Sequence, residues 1–136
     1  MALLVQQLSK ADVVVLGEIH DNPRHHELRA QLLGEPELKG RQVVAEHLEA
    51  GQKVGDGDQL LGRLEQAGFD AQGWQWPMHQ VLFAAVLDQH MPLYGGNLPP
   101  SQTRDVFKTR GNSLPAPTQA MLLRAPLSEE GLKQLR

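Results

Sequence analysis

Three short stretches hold the residues of this chain whose types and spacing could do chemistry. Gly17-Glu18-Ile19-His20 is followed closely by His25-His26, Glu46 is followed by His47, and Gly95-Gly96-Asn97 forms a third group. Glu18, His20, His25 and Glu46 offer two carboxylates and two imidazoles, a donor set that suits a hard or borderline divalent metal. The same groups suit general acid/base work, because adjacent carboxylates and histidines push one another's pKa values apart. Under that chemistry Glu18, His20 and Glu46 are the catalytic candidates, with Asn97 placed to orient a substrate or a water. Each residue alone has an ordinary explanation, since Glu, His, Asn and Asp cap helices and satisfy free backbone groups at strand ends. Glu18, His20 and Glu46 taken together favour a site. His26 and His47 are expected to be exposed or to support the cluster from outside.

The elements around these groups explain why they would meet. Val13-Val14-Val15-Leu16, a β-branched run closed by Gly17, reads as a buried parallel strand. Gln42–Ala45 ending in Glu46-His47 reads as a second, and Pro92-Leu93-Tyr94 running into Gly95–Asn97 as a third. Between the first two, Asp21-Asn22-Pro23 spells a side-chain cap with proline at the first helical position, opening a helix that ends near Gly34. Helices are also expected over Met1–Lys10, Gln59–Gln66, roughly Met78–Gln89 and Ser101–Thr109, with a last one from Ser128. Leu114–Pro117 reads as a proline-rich connection. This alternation predicts an α/β fold, a parallel sheet of at least three strands flanked by helices, forming one domain over residues 1–136. Ligands in such sheets bind beyond the carboxyl ends of the strands, where all three polar groups fall. The helix opening after the first strand brings His25 and His26 to that edge and favours an anion there.

A second chemical region is Trp74-Gln75-Trp76-Pro77-Met78-His79, which holds both tryptophans. On the helix that follows, His79 shares a face with Leu82, Phe83 and Val86, the usual setting of a core histidine. The alternative is a flat apolar pocket lined by Trp74, Trp76 and Met78, with His79 or Tyr94 as axial ligand to a haem iron. With no cysteine, any haem is held non-covalently, and disulfides, thiolate catalysis and Cys-type zinc sites are excluded. There is no P-loop, GxGxxG or GxSxG motif. A net charge of -3 and 4% aromatic residues argue against nucleic acid as a partner. No apolar run reaches membrane-spanning length, and the N-terminus lacks a basic leader.

Val14–Pro23 followed by His25-His26 resembles the signature of the ChaN-like haem-binding lipoproteins. Val43-Val44-Ala45-Glu46, Trp74-Gln75-Trp76-Pro77 and Gly96-Asn97-Leu98 resemble further segments of that family in the same order, from about Ala11 to Pro117. The resemblance implies an α/β fold and a bacterial haem or iron acquisition role, and places the protein at the cell envelope, periplasmic or outer-membrane associated. It also implies kinship with erythromycin-esterase-like and Tiki-type metal-dependent hydrolases, which carry Glu and His from such strand ends in their active sites. Family members are longer, so the chain reads as a partial domain, with the lipid-attachment cysteine absent. Where the family pattern has a tyrosine after the Trp-Pro segment this chain has His79, which leaves His79 and Tyr94 both open as axial ligand.

Three functions follow as expectations. The first is a haem-binding protein, dimeric so that two protomers enclose the flat ligand, with outer-membrane haem-uptake components as further partners. Arg24, Arg104, Lys108 and Arg110 are available to its propionates. The second is a metal-assisted hydrolase using Glu18, His20, His25 and Glu46. The third is a structural fragment without a ligand, supported by the open edges of a small sheet.

Overall fold

Asn22 caps a helix as its residue type requires: its Oδ1 accepts the Arg24 N–H at 3.0 Å, and Pro23 begins α2 (Pro23–Leu33). Upstream lies α1 (Ala2–Leu8), which buries Val5. The computed structural model describes residues 2–124 and divides into two units, one ending at Asn97 and one beginning at Leu98. In the first unit a 3₁₀ turn at Pro36–Leu38 leads to β1 (Val43–Glu49), then α3 (Leu60–Gln66), α4 (Gln80–Asp88) and β2 (Leu93–Asn97). The second unit holds α5 (Pro100–Thr109) and α6 (Ala116–Arg124). The helix expected from Ser128 lies outside the described residues.

β1 and β2 pair in parallel, Val43 opposite Leu93, Val44 opposite Tyr94 and Ala45 opposite Gly95, with an irregularity before Glu49 meets Asn97. The crossover between them carries α3 and α4, as a parallel pair demands. Gly95 is there for space: a Cβ on it would overlap the Glu49 carbonyl oxygen across the ladder. The core lies between the sheet and the helices and is built on Leu48, Leu64, Phe83, Val86, Met91 and Leu93, all 1% exposed or less except Met91 at 2%. α2 packs on α4, so the helix carrying His26 faces the helix that His79 precedes.

The sheet has two strands among the described residues, not three. The expected first strand at Val13–Leu16 belongs to no strand or ladder, and Val13 and Val15 are 80% and 89% exposed. A strand needs a partner at hydrogen-bonding distance, and β-branched composition does not supply one. Here a groove of roughly 850 Å³ separates residues 12–17 from the free edge of β1, floored by Leu82, Phe83 and Val86. The parallel α/β arrangement holds; its first member is unpaired.

α6 begins inside the proline-rich stretch that reads as a connection. Pro117 falls in its first turn, where backbone N–H groups have no intrahelical partner and proline costs little.

Candidate functional site

Glu18 is the centre of a buried cluster. Its side chain is 1% exposed, and its Oε1 accepts from His20 Nδ1 at 2.8 Å and His47 Nε2 at 3.0 Å. The other oxygen, Oε2, lies 3.1 Å from His26 Nδ1 and forms an ion pair with Arg29 Nη2. His79 Nε2 stands 3.9 Å from Oε1. One carboxylate, four imidazoles and a guanidinium are thus drawn together from four parts of the chain.

Each arrives for a local reason. His26 sits in the opening turn of α2, where its Nε2–H donates to the His20 carbonyl at 3.0 Å and fixes the loop that carries Glu18. Arg29 follows on the same helical face, its Nη2 also donating to His26 Nδ1 at 3.0 Å. His47 is inward because side chains alternate along β1: Val43, Ala45 and His47 turn to the core, while Val44 and Glu46 turn outward. His79 precedes α4 and is placed by a turn in which Asp70 Oδ1 accepts the Gln72 and Gly73 N–H groups. That turn also seats Trp74, whose ring centroid is 4.3 Å from His47, 5.2 Å from His20 and 5.7 Å from His79. Phe83 closes the inner side, edge-on to His47 at 5.4 Å.

The electrostatics follow from enclosure. Burial, then the neighbouring His79, Arg29, His20 and His26, push the His47 pKa down to about 3. Burial and His26 push His79 down to about 4, against a Trp74 backbone group that acts the other way. Glu18 would favour a protonated His47, but Arg29 already compensates its charge. Burial also lowers the Arg29 pKa, with Glu46 opposing. Both His47 and His79 are therefore neutral near pH 7, the form that ligates metals. His47 Nδ1 and both nitrogens of His79 are buried without hydrogen-bond partners.

The ligand atoms of Glu18, His26 and His79 lie within 4.8 Å of one another, as do those of Glu18, His20 and His47. Tetrahedral zinc with bonds near 2.05 Å has ligand atoms about 3.4 Å apart, so Glu18–His20, Glu18–His47 and Glu18–His26 at 2.8–3.1 Å would widen slightly and Glu18–His79 at 3.9 Å would close slightly. Orphaned imidazole nitrogens beside a carboxylate fit a borderline divalent ion.

Of the residues expected from sequence, Glu18, His20, His79 and Trp74 meet here. Glu46 is on the outer face, its side chain 60% exposed and 3.9 Å from His20 Nδ1. His25 braces the loop instead, its Nδ1 accepting the Ile19 N–H at 3.0 Å. Trp76 stacks edge-on against Phe69 at 5.8 Å, and Met78 is half-buried. Tyr94 lies on β2 beside Val44, with Lys53 Nζ 5.7 Å from its ring centre. His26 and His47, expected outside the cluster, are members of it. The alternation Val43, Ala45, His47 was the signal for one, and the helix-opening position of His26, facing back along α2, for the other.

A parallel α/β unit with a buried Glu/His cluster at the end of β1 and the mouth of α2 defines the class. The family model described as haem-binding uptake, Tiki superfamily, ChaN matches residues 4–136, and the chain belongs to that family. No curated protein and no solved structure matches it.

Proposed function

We propose that this protein binds haem non-covalently and serves bacterial haem and iron acquisition. Family membership over residues 4–136 carries the reading. The groove beside β1 supports it: roughly 850 Å³ falls within the ~300–1,000 Å³ usual for ligand sites, and its walls are mostly apolar. Val13, Val15 and Val44 supply flat hydrophobic contact, and Arg29 and Arg41 line the same groove as cations for the propionates. The axial ligand in this reading is Tyr94 or His79, with Trp74, Trp76 and Met78 as further contacts; none of the five lines the groove itself, so the ring would extend past it to reach them. By register Tyr94 shares the outer face of the sheet with Val44, whereas His79 is 1% exposed and would need Trp74 to move. Exposed Val13, Val15 and Val44 support a homodimer that shares the ligand, working with outer-membrane haem-uptake components at the cell envelope. Among the described residues no helix is long and apolar enough to cross a membrane. Haem added to the apoprotein should give a saturable, shifted Soret band that weakens when His79 and Tyr94 are both replaced. No shifted band, or one indifferent to that double replacement, removes the proposal in this form.

The buried cluster supports a second reading, a metal-dependent hydrolase-like site. Glu18, His26 and His79, or Glu18, His20 and His47, would hold one divalent ion, which when bound supplies Lewis-acid polarisation and an activated water. Around it Trp74 and Phe83 exclude bulk solvent, while half-exposed His20 is the member that can pass a proton outward. Metal analysis paired with ester or peptide hydrolysis by wild type and Glu18→Gln tests this. Metal-free, inactive wild-type protein would count against it.

A further inference from the structure

Arg29 occupies the point where a metal held by Glu18, His26 and His79 would sit. Glu18 Oε2 and His26 Nδ1 are 3.1 Å apart, and both are acceptors, because the proton of His26 is on Nε2, donated to the His20 carbonyl. Two lone pairs that close need a cation or donor between them. Arg29 Nη2 supplies it, paired with Glu18 Oε2 and bonded to His26 Nδ1.

We propose that Arg29 and a divalent cation are alternative occupants of the Glu18 Oε2–His26 position, so that Arg29 sets the affinity of the Glu18/His26/His79 set for metal. The proposal rests on the metal reading above. A cation bound to Glu18 Oε2 and His26 Nδ1 displaces Nη2 from both, so the two occupants exclude one another. Independent of Arg29, the site holds unspent nitrogens: Nδ1 of His47 has no partner, and His79, whose side chain is 1% exposed, has only the Trp74 backbone near its ring and no well-formed hydrogen bond on either nitrogen. A metal on Glu18 and His26 would engage one nitrogen of His79, to which the guanidinium makes no hydrogen bond. Arg29 is itself only partly satisfied, its Nε being buried without a partner. It also has somewhere to go, because its side chain lines the groove beside β1. Swung there, the guanidinium would meet the groove's own ligand, and a carboxylate-bearing ligand would then favour metal in the cluster. Thermodynamic reciprocity requires the metal to favour that ligand equally.

The test uses Zn²⁺ and Mn²⁺ alone, titrated into the whole metal-free chain by calorimetry. Arg29→Gln should bind at least ten-fold more tightly than wild type. Since that change leaves Glu18 without its counter-charge and can impair folding, wild type is also probed directly. Phenylglyoxal modification of Arg29, followed by peptide mass spectrometry, should rise when metal is added. Metal binding by wild type with Arg29 still protected, or equal affinity in the folded variant, overturns the exclusion and leaves the metal reading standing. No metal bound by either protein overturns both.

Discussion

Acidification should weaken this fold through His47 and His79, by an amount the geometry sets. Both side chains are almost wholly enclosed, 3% and 1% exposed, and their pKa values fall from an ordinary 6.5 to about 3 and about 4. The unfolded chain takes up a proton on each as pH drops through 6.5, while the folded chain does not until pH 4 or below. The folded state then binds fewer protons than the unfolded one, so stability present above pH 6.5 is lost as pH falls. At pH 5 the loss is about 2 kcal/mol for each histidine, or at most about 4 kcal/mol for the pair. Total stabilities of domains are about 5–15 kcal/mol, so the effect is large. Urea denaturation in chelator-treated buffer at pH 7.5, 6.5, 5.5 and 5.0 measures it. His47→Gln removes one titrating group, and its stability should fall with acid by about 2 kcal/mol less than wild type over that range. A wild-type slope unchanged by His47→Gln would refute the claim that the imidazole is held neutral by burial.

Two further expectations test the frame of the site. Gly95→Ala sets a methyl group against the Glu49 carbonyl across the β1–β2 ladder and should cost about 3 kcal/mol in urea denaturation; a variant as stable as wild type contradicts this pairing. Phe83→Ala removes a ring 1% exposed and edge-on to both His47 and Phe69. It should cost about 3–5 kcal/mol and, if the protein stays folded, raise the His47 pKa measured by NMR; an unmoved pKa would mean that Phe83 does not keep water from the cluster.

Local chemistry was the legible part of this fold. Asn22-Pro23 announces α2 because capping and proline geometry act within a few residues. Val13–Leu16 misled because β-branched residues favour extension, while a ladder depends on a neighbour that the run itself does not encode. The site divided in the same way. Glu18 and His20 stood out through their spacing, and His79 through its apolar face. Glu46 and His47 differ by one position and so point to opposite faces of β1, which makes the charged residue the exposed one and the imidazole the buried one. His25 and His26 differ likewise on α2: one braces Ile19, and the other reaches Glu18. Nothing in the sequence around Arg29 distinguishes it from a surface residue on a helix, and only the packing of α2 on α4 places it over a buried carboxylate.

The most direct measurement of the haem-binding account is hydrogen–deuterium exchange of the whole protein with and without haem. Amides of residues 13–17 make no backbone hydrogen bond among the described residues and should exchange quickly in the apoprotein. Haem seated in the groove should slow exchange across residues 13–17 and along β1 together, at the concentration that saturates the Soret change. A saturated Soret change with exchange at both walls unaltered would contradict the groove as the haem seat.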